Sequence, residues 1–225
     1  MNIPIQEILN NAVRGDREKK EITSWHVSKL GSCLRGIYLE RSGVKPDTEF
    51  DDRTLRVFSV GNMFEDWLVD KIKDKVKIET QVRVEDLELN VSGYADFVAE
   101  LDGEKKVYEI KSKHSRAFWW MEKQGKPSRQ HQYQLWMYLY LLKIDEGAII
   151  YLSKDDLMMK EYPVYRNDES IKKEVFEQLE LLNTAWKNQT PEILPLPENG
   201  RWGNQKDFHS KYCRYHKSCI KLKLT

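Results

Sequence analysis

The chain has 225 residues, of which 40% are hydrophobic and 32% charged, and its formal net charge is +1. This composition is typical of a globular protein with one sizeable core, so we expect a single domain over residues 1–225. The longest apolar stretch, 135–142, is too short to cross a bilayer, and the first residues do not resemble a secretion signal. We therefore expect a cytoplasmic location and no membrane partner, and the odd count of three cysteines fits a reducing compartment.

Basic residues are unevenly distributed along the chain. Residues 105–129 contain eight Lys or Arg against two Glu, and residues 201–225 contain seven against one Asp. Clusters of this kind can contact phosphates and position a nucleic-acid backbone. The alternative is that these lysines are scattered charges facing solvent.

The first third of the chain predicts three helices. Residues 1–20 are polar and weakly amphipathic, and we assign them no chemistry. The next predicted helix follows cap residues at 23–28, runs to about Arg41, and has an apolar face of Leu30, Cys33, Leu34, Ile37 and Tyr38. A longer helix is predicted from about Arg53 to Lys73, with an apolar stripe of Val60, Met63, Phe64, Trp67, Leu68 and Ile72.

A hairpin over residues 87–112 lies at the centre of the predicted fold, beside a strand predicted at 76–84. Asp102 and Gly103 form a dipeptide favoured in two-residue turns, because both positions tolerate positive φ. With that turn, Asp96 faces Glu109 across the ladder, with Cβ atoms roughly 4.5–5.5 Å apart. Strand alternation puts Lys111 on the face of Glu109, while Tyr108 and Ile110 point toward a core.

Two carboxylates that face each other repel, so the pair needs compensation. A bound cation or a raised pKa on one acid supplies it. Mg²⁺ takes oxygen ligands, and a lysine nearby can orient the attacking water or neutralise charge on a phosphate. The alternative is a solvated sheet face on which Lys111 is only a counter-charge to Asp96 and Glu109.

Two further helices are predicted after the hairpin. Residues 115–124 carry Trp119 and Trp120 among basic residues, a combination suited to base stacking, although core packing of at least one tryptophan is the favoured interpretation. The helix that begins after Pro127 and Ser128 carries a polar ridge on an otherwise apolar surface, formed by Gln130, His131, Gln134 and Tyr138. Such a ridge serves groups that need hydrogen bonds, or simply marks the wet edge of the helix.

The remainder of the chain predicts two strands, a helix and a connector. The strands are predicted at 147–152 and 158–165, and the helix at 168–187 with a core-facing apolar stripe. Residues 191–203 form a proline-rich connector.

The hairpin residues match a known pattern. Ala95-Asp96, twelve residues, then Glu109-Ile110-Lys111 resembles the signature of the PD-(D/E)XK nuclease superfamily. Gly93-Tyr94-Ala95-Asp96 and Gln134-x-x-x-Tyr138 resemble motifs of its RecB-like branch, and the serine-rich start followed by Cys33 and Arg35 resembles that branch's N-terminal segment. Where many RecB-like nucleases have Gly-x-x-x-His, this chain has Gly61 followed four residues later by Glu65; a carboxylate there binds metal in the phage-exonuclease branch.

The resemblance implies a restriction-endonuclease-like α/β fold: a mixed central sheet flanked by helices, with a core at about 53–186 and the N-terminal helices and C-terminal tail packed together. It implies metal-dependent cleavage of DNA, first of all exonuclease action on ends or single strands. Mg²⁺ or Mn²⁺ would be held by Glu65, Asp96, Glu109 and the Ile110 carbonyl, and Lys111 would orient the water. The implied substrate contacts are Gln134, Tyr138, Gln130 and Arg35.

Partners implied by the resemblance are DNA and proteins of recombination, repair or CRISPR adaptation. Two other functions stay open. One is a DNA-binding accessory subunit that has kept the fold and lost cleavage, and the other is a zinc-stapled interaction module whose acids are incidental. The sequence does not give the oligomeric state.

The three cysteines lie outside the hairpin, in segments 23–42 and 204–222. Cys33, Cys213 and Cys219 resemble the iron–sulfur set of RecB-like nucleases such as AddB and the type-four CRISPR-associated nuclease, in which the position of Ser210 is a cysteine. His209 or His216 is the implied fourth ligand, for an iron–sulfur cluster or for zinc. The alternative is that the cysteines bind no metal and act as small buried hydrophobes.

Overall fold

The computed structural model describes residues 4–15, 21–195 and 213–221. The helices in these ranges are α1 Ile5–Gly15, α2 Leu34–Arg41, α3 Asp52–Ile72, α4 Ser115–Gln124, α5 Arg129–Leu142, α6 Glu169–Asn188 and α7 His216–Lys221, with 3₁₀ turns at Val27–Lys29 and Pro191–Ile193. The strands are β1 Trp25–His26, β2 Lys77–Asp86, β3 Val91–Leu101, β4 Glu104–Lys113, β5 Glu146–Ser153 and β6 Met159–Tyr165.

The six strands form one mixed sheet in the order β1-β3-β4-β5-β6, with β2 also paired to β3. β3 pairs antiparallel with β2 and β4, and β5 pairs antiparallel with β6. β1 is parallel to β3, and β4 is parallel to β5. The connection from β4 to β5 contains α4 and α5, as a parallel pair requires a crossover.

The hairpin turn has the predicted form, because Asp102 and Gly103 both take positive φ, at 52° and 84°. The predicted register is also correct where the ladder forms, with Phe97 opposite Tyr108 and Leu101 opposite Glu104. Turn chemistry therefore sets which residues of β3 and β4 face each other.

Helices cover both faces of the sheet, as the predicted fold class requires. One face packs against α2, α4, α5 and α6 around buried Trp136, Tyr151 and Leu179. The other face packs against α3 through Leu68, Phe97 and Tyr108. The mixed sheet between two helical layers is the restriction-endonuclease-like arrangement.

Three local predictions were wrong. The first helical run is split into a 3₁₀ turn and α2, because Gly31 takes a φ of 83° between them. The apolar stripe of α3 is a core face only in part: Leu68 is buried and Ile72 packs beside it, but Val60, Met63 and Trp67 are exposed. On α4, Trp119 and Trp120 are both exposed, and the core contacts come from Phe118 and Met121.

The C-terminal residues 213–221 pack against the segment after α2. Tyr215 and Cys219 form a small buried cluster with Leu39, and Asp47 accepts hydrogen bonds from the backbone of Lys217 and Ser218. This agrees with the predicted packing of the N-terminal helices with the C-terminal tail. No helix within the described ranges has both the length and the apolar character needed to span a membrane.

Candidate active site

Asp96 lies where the two hairpin strands separate. The β3–β4 ladder begins at Leu101–Glu104 and ends at Phe97–Tyr108, one pair before Asp96 and Glu109. Instead of forming that pair, Asp96 turns its side chain toward β4, where Oδ2 accepts a 2.7 Å hydrogen bond from the backbone N–H of Ile110. The prediction that Asp96 and Glu109 form a cross-strand pair is therefore wrong. The strands open at this position, and β1 pairs with β3 beyond the opening.

Glu109 is the most deeply buried acid of the hairpin, with 1% of its surface exposed. Its Oε1 is ion-paired with Lys111 and accepts a 2.6 Å hydrogen bond from Nε2 of Gln134 on α5. Its Oε2 is buried and makes no hydrogen bond within the described residues. A buried carboxylate oxygen without a partner is costly, so this atom is available to a ligand that enters the site.

Glu65 approaches the same region from α3. It accepts a hydrogen bond from Nε2 of Gln81 on β2. Gln81 has a φ of 50°, in the left-handed region that side chains rarely adopt, and the β2–β3 ladder skips the position where it would face Asp96. The backbone is therefore irregular on both sides of Asp96, and one of those irregularities aims an amide at Glu65.

The carboxylates influence one another. Burial and the nearby charge of Asp96 raise the pKa of Glu65 to about 7. Burial raises the pKa of Glu109 to about 8, against the opposing effect of Lys111. Burial also raises the pKa of Asp96, although Lys111 and the Ile110 N–H oppose it. The site therefore concentrates negative charge that solvent cannot stabilise, which favours a cation.

Lys111 balances part of this charge. Burial acts to lower the pKa of its ammonium group, but attraction to Glu109 and Asp96 outweighs burial, so the pKa is raised. Lys111 therefore stays protonated beside the acids. It lies on the same face of the strand as Glu109, as strand alternation predicted.

The polar ridge of α5 is buried at its C-terminal half, whereas Gln130 and His131 are half-buried and line the cleft. Gln134 and Tyr138 are both buried, and Gln134 Nε2 also donates to the Tyr138 hydroxyl at 3.2 Å. A Cβ added at Gly93 would lie 3.1 Å from the Tyr138 ring, so glycine permits the close approach of β3 to this side chain. Gly93, Gln134 and Tyr138, predicted from separate motifs, thus meet behind Glu109.

Gly61, four residues before Glu65 on α3, makes no unusually close contact. A Cβ added there would lie 3.6 Å from Ser112 Oγ, which is an ordinary contact. α3 therefore passes near β4 at this point but leaves room for a methyl group.

His131 lies one turn before Gln134 and was noted in the sequence only as part of the ridge. Its Nδ1 is 2.6 Å from the hydroxyl of Tyr151, which itself accepts a hydrogen bond from the Ser128 N–H. With the Tyr151 hydroxyl as donor to Nδ1, the ring proton is on Nε2. Burial, with Lys111 and Lys113 nearby, lowers the pKa of His131 well below its usual value, so the ring is neutral.

Several of these groups line one cleft of about 760 Å³, and Glu109 itself lies behind the lining. Its walls come mainly from α3, the opened hairpin, the start of α5 and the β5–β6 turn. The polar side chains near the acids that line it are Glu65, Asp96, Lys111, Ser112, Gln130, His131, Gln134 and Lys154, and the rest of the polar lining comes from Ser28, Lys29, Glu40, Asn62 and Arg214. A larger cavity of about 1350 Å³, next to α1 and α2, contains none of the hairpin acids. We identify the site by its chemistry, and hence with the smaller cleft.

Two predicted substrate contacts differ in placement. Gln130 lines the cleft and donates a 3.3 Å hydrogen bond to the Ser28 carbonyl. Arg35 is buried away from the cleft, and its guanidinium donates to the carbonyls of Leu194 and Glu192. The expected phosphate contact of Arg35 is therefore wrong, because this arginine holds the segment after α6 against α2.

Cys33 immediately precedes α2, whereas Cys213 and Cys219 lie in the C-terminal segment that packs against Leu39 of α2. Cys213 packs against the cluster that contains Cys219, and the pKa of Cys33 is raised by burial and, less strongly, by these two thiols. His209 lies outside the described residues. Across the described ranges, no three His, Cys, Asp or Glu side chains are gathered closely enough to hold an ion by themselves.

The hairpin acids nevertheless suit a hard divalent cation. Mg²⁺ binds one or two carboxylates and completes its shell with waters and substrate phosphates, so it needs no ready-made cluster of three acids. Glu109 Oε2 offers an unused oxygen, and Asp96 and Glu65 carry charge nearby. All these donors are oxygens, which matches Mg²⁺ or Mn²⁺ and not a soft metal.

Sequence reasoning missed Gln81 and Tyr151 as residues of the site. No local pattern marks Gln81, because its role depends on an irregular backbone opposite Asp96. Tyr151 lies on β5 opposite Lys111 in the parallel register, so only the sheet order could identify it.

A comparison with protein families identifies the class. The model described as the PD-(D/E)XK nuclease superfamily matches residues 16–220. The protein therefore belongs to the PD-(D/E)XK nuclease superfamily, as the hairpin motif predicted. No curated protein matches the chain.

Solved structures share the fold at low sequence identity. The structure titled SSO0001 superposes with a TM-score of 0.61 at 20% identity, covering 98% of this chain and 97% of that one. An alkaline exonuclease, LHK-Exo from Laribacter hongkongensis, gives a TM-score of 0.55 at 13% identity over 83% and 97%. A phage-related exonuclease from Haemophilus somnus 129PT gives 0.51 at 12% identity over 82% and 99%.

Proposed function

We propose that this protein is a metal-dependent deoxyribonuclease that hydrolyses phosphodiester bonds, acting as an exonuclease on DNA ends or single strands. One observation carries the proposal. Asp96, Glu109 and Lys111 meet where the hairpin opens, and the buried Glu109 has one carboxylate oxygen without a partner. An acid held in this way is poorly explained as a surface charge and well explained as a ligand for a cation.

In the proposed mechanism Asp96, Glu109 and the Ile110 carbonyl would hold Mg²⁺ or Mn²⁺, with Glu65 as a further ligand. When bound, such a cation polarises the phosphate and lowers the pKa of the attacking water. Asp96 already accepts the Ile110 N–H, which fixes its carboxylate beside the Ile110 backbone. Lys111 stays protonated beside Glu109 and orients the water or neutralises charge that builds on the phosphate.

Gln134 and Tyr138 act from behind the acids. Gln134 holds Oε1 of Glu109, so that Oε2 is left for the metal. We assign Gln134 and Tyr138 to positioning, and Gln130, which lines the cleft, to contact with the strand. These residues are also what supports placement in the RecB-like branch.

DNA as the substrate is supported by the relatives. Two structural neighbours are named exonucleases, and LHK-Exo has been crystallised with dAMP, a deoxynucleotide. Basic side chains in and beside the cleft, among them Lys111 and Lys154, match a polyanion. The proposal of protein partners in recombination, repair or CRISPR adaptation is based on the resemblance to the RecB-like branch.

The experiment is digestion of end-labelled, end-blocked and circular DNA with Mg²⁺, Mn²⁺ or Ca²⁺. We expect cleavage with Mg²⁺ or Mn²⁺ that requires a free end. Glu109→Gln and Lys111→Ala should each lower the rate by about 10²-fold or more. Equal rates for these variants and the wild type would overturn the enzyme proposal and leave a DNA-binding accessory subunit.

The chain offers matched controls for both variants. Lys106 is on the same strand as Lys111 and pairs with Glu146, and Glu100 on β3 pairs with Lys77. Both pairs lie outside the cleft lining. Lys106→Ala and Glu100→Gln should therefore cleave at the wild-type rate.

We also propose, separately, that Cys33, Cys213 and Cys219 hold an iron–sulfur cluster or zinc with His209 or His216. What supports it is the resemblance to the family's cysteine set, together with the electrostatic effect of Cys213 and Cys219 on Cys33. Among the described residues the thiols and His216 are not gathered into an ion site, so binding would have to draw them together. Elemental analysis of anaerobically purified protein tests this, and a folded protein free of iron and zinc would overturn it.

A further inference from the structure

α4, which begins two residues after β4 ends, exposes two neighbouring tryptophans. Trp119 and Trp120 each keep 56% of their surface exposed, although the helix buries Phe118 and Met121 against the sheet. Large aromatic surfaces in solvent are unfavourable, so a paired exposure of this size marks a surface that binds something.

The surroundings of the pair are basic. The ring centroids are 6.4 Å apart, and Nζ of Lys123 lies 5.3 Å from one centroid and 5.9 Å from the other. Arg116, Lys123 and Lys126 are exposed on α4 and the loop after it. Glu122 is the single acid of residues 115–127, and its carboxylate lies 4.0 Å from Lys160. Aromatic faces with cations around them suit a polyanion that carries flat rings.

The chain path links this surface to the cleft. β4 carries Glu109, Lys111 and Lys113 at alternate positions, hence on one face, and α4 begins at Ser115. Backbone spacing limits the distance from Lys111 to Trp119 to roughly 20 Å. This is about six stacked nucleotides of one strand. A strand held in the cleft can therefore reach the tryptophans.

We propose that Trp119 and Trp120 form a stacking platform for the bases of single-stranded DNA that enters or leaves the cleft. Lys113, Arg116 and Lys123 contact the phosphates along the way. The proposal rests on the proposed function, because it takes its ligand from that activity. It adds a binding surface that selects unpaired bases, since bases within a duplex have no free face to stack.

The test measures binding without cleavage. A fluorescent single-stranded oligonucleotide is titrated with the full chain in EDTA at one fixed salt concentration, followed by anisotropy. Trp119→Ala and Trp120→Ala should each weaken binding by about fivefold to 100-fold, as expected for the loss of one stacked base. Trp119→Phe should keep most of the affinity. Tyr165→Ala is the control, because Tyr165 is exposed at the other end of the sheet.

A second oligonucleotide, with several abasic sites, isolates stacking from charge. The wild type should bind it more weakly than the normal strand, and the Trp119→Ala, Trp120→Ala double variant should bind both strands equally. The platform is overturned if the variants bind like the wild type, or if they lose only self-association, measured as molar mass by light scattering. Cleavage with Mn²⁺ is scored separately. If the wild type does not cleave DNA but the tryptophan variants bind it more weakly, the nuclease proposal fails and the platform stands. If the wild type cleaves DNA and the variants bind it as tightly as the wild type does, the platform fails and the nuclease proposal stands.

Discussion

Gln134 donates a 2.6 Å hydrogen bond to Glu109, and this bond joins the buried helix α5 to the opened hairpin. It occupies Oε1 of the acid and leaves Oε2 without a partner. Gln134, the first residue of the Gln-x-x-x-Tyr motif on α5, thus determines which oxygen of Glu109 is available. The two sequence motifs are parts of one structural unit.

Removing this bond should weaken catalysis more than it weakens the fold. In Gln134→Ala the Glu109 carboxylate can rotate. Loss of a residue that hydrogen-bonds to a metal-binding side chain typically costs about 10–100-fold in metal affinity or activity. We expect a loss of that size in the cleavage rate at fixed Mn²⁺, partly restored by higher Mn²⁺. Gln132→Ala is the matched control, since Gln132 is on the same helix and donates to the Pro127 carbonyl. An equal loss in both variants would contradict the positioning role.

The acids should make the metal-free protein less stable as the pH rises. The pKa of Glu109 is about 8 and that of Glu65 about 7 in the folded state, against 4.5 for an unperturbed glutamate. Between these limits the folded state binds more protons than the unfolded state, so stability present at acid pH is lost as the pH rises toward 8.

Glu109→Gln isolates this effect, because glutamine resembles the protonated acid. At about pH 8.5 in EDTA the melting temperature of the variant should exceed that of the wild type, by about 2–4 °C for each kcal/mol of unfolding free energy gained. At about pH 4.5 the two melting temperatures should be close. Excess Mn²⁺ should raise the melting temperature of the wild type but not that of the variant. A variant that melts below the wild type at the higher pH would contradict the assignment.

Gly93 should not tolerate a side chain. The added methyl group of Gly93→Ala would lie 3.1 Å from both the Tyr138 ring and Val27 Cβ, which are buried and have little room to move. Overpacking of this kind costs about 1–3 kcal/mol. We expect lower stability by denaturant unfolding and slower cleavage. Gly61→Ala is the control and should be neutral or stabilising by up to about 1 kcal/mol, because Gly61 is in α3 with an ordinary contact.

His131 should act as a neutral hydrogen-bond donor to substrate. With Tyr151 donating to Nδ1 its proton is on Nε2, and its pKa is well below the usual value, so it does not titrate near neutral pH. His131→Ala should lower the cleavage rate by about tenfold to 100-fold, as for the loss of a hydrogen bond to a charged group. His131→Gln should recover part of the rate, and the pH profile of either variant should keep the wild-type shape. An inflection near pH 6.5 that disappears with His131 would show that it works as an acid or base.

Local chemistry accounts for what the sequence predicts well. The turn at Asp102 and Gly103 sets the hairpin register, and Ser128 and Asp168 cap α5 and α6 through their side chains. Other features depend on contacts between distant segments, which no short pattern records. Arg35 was expected at a phosphate and is instead bonded to carbonyls about 160 positions away, and the apolar stripe of α3 is only partly buried, with Leu68 in the core and Met63 and Trp67 exposed.

The opening beside Asp96 also divides the sheet mechanically. β3 is held to β2 along almost its full length, whereas it meets β4 only from residue 97 to the turn. β4 continues with β5 instead, so the β2–β3 and β4–β5 halves of the sheet share a ladder only at the hairpin end. Across the gap, the Ile110 N–H donates to Asp96 Oδ2 in place of a ladder bond. α5 bridges both halves, touching Gly93 through Tyr138 and Glu109 through Gln134, and so limits how far they part.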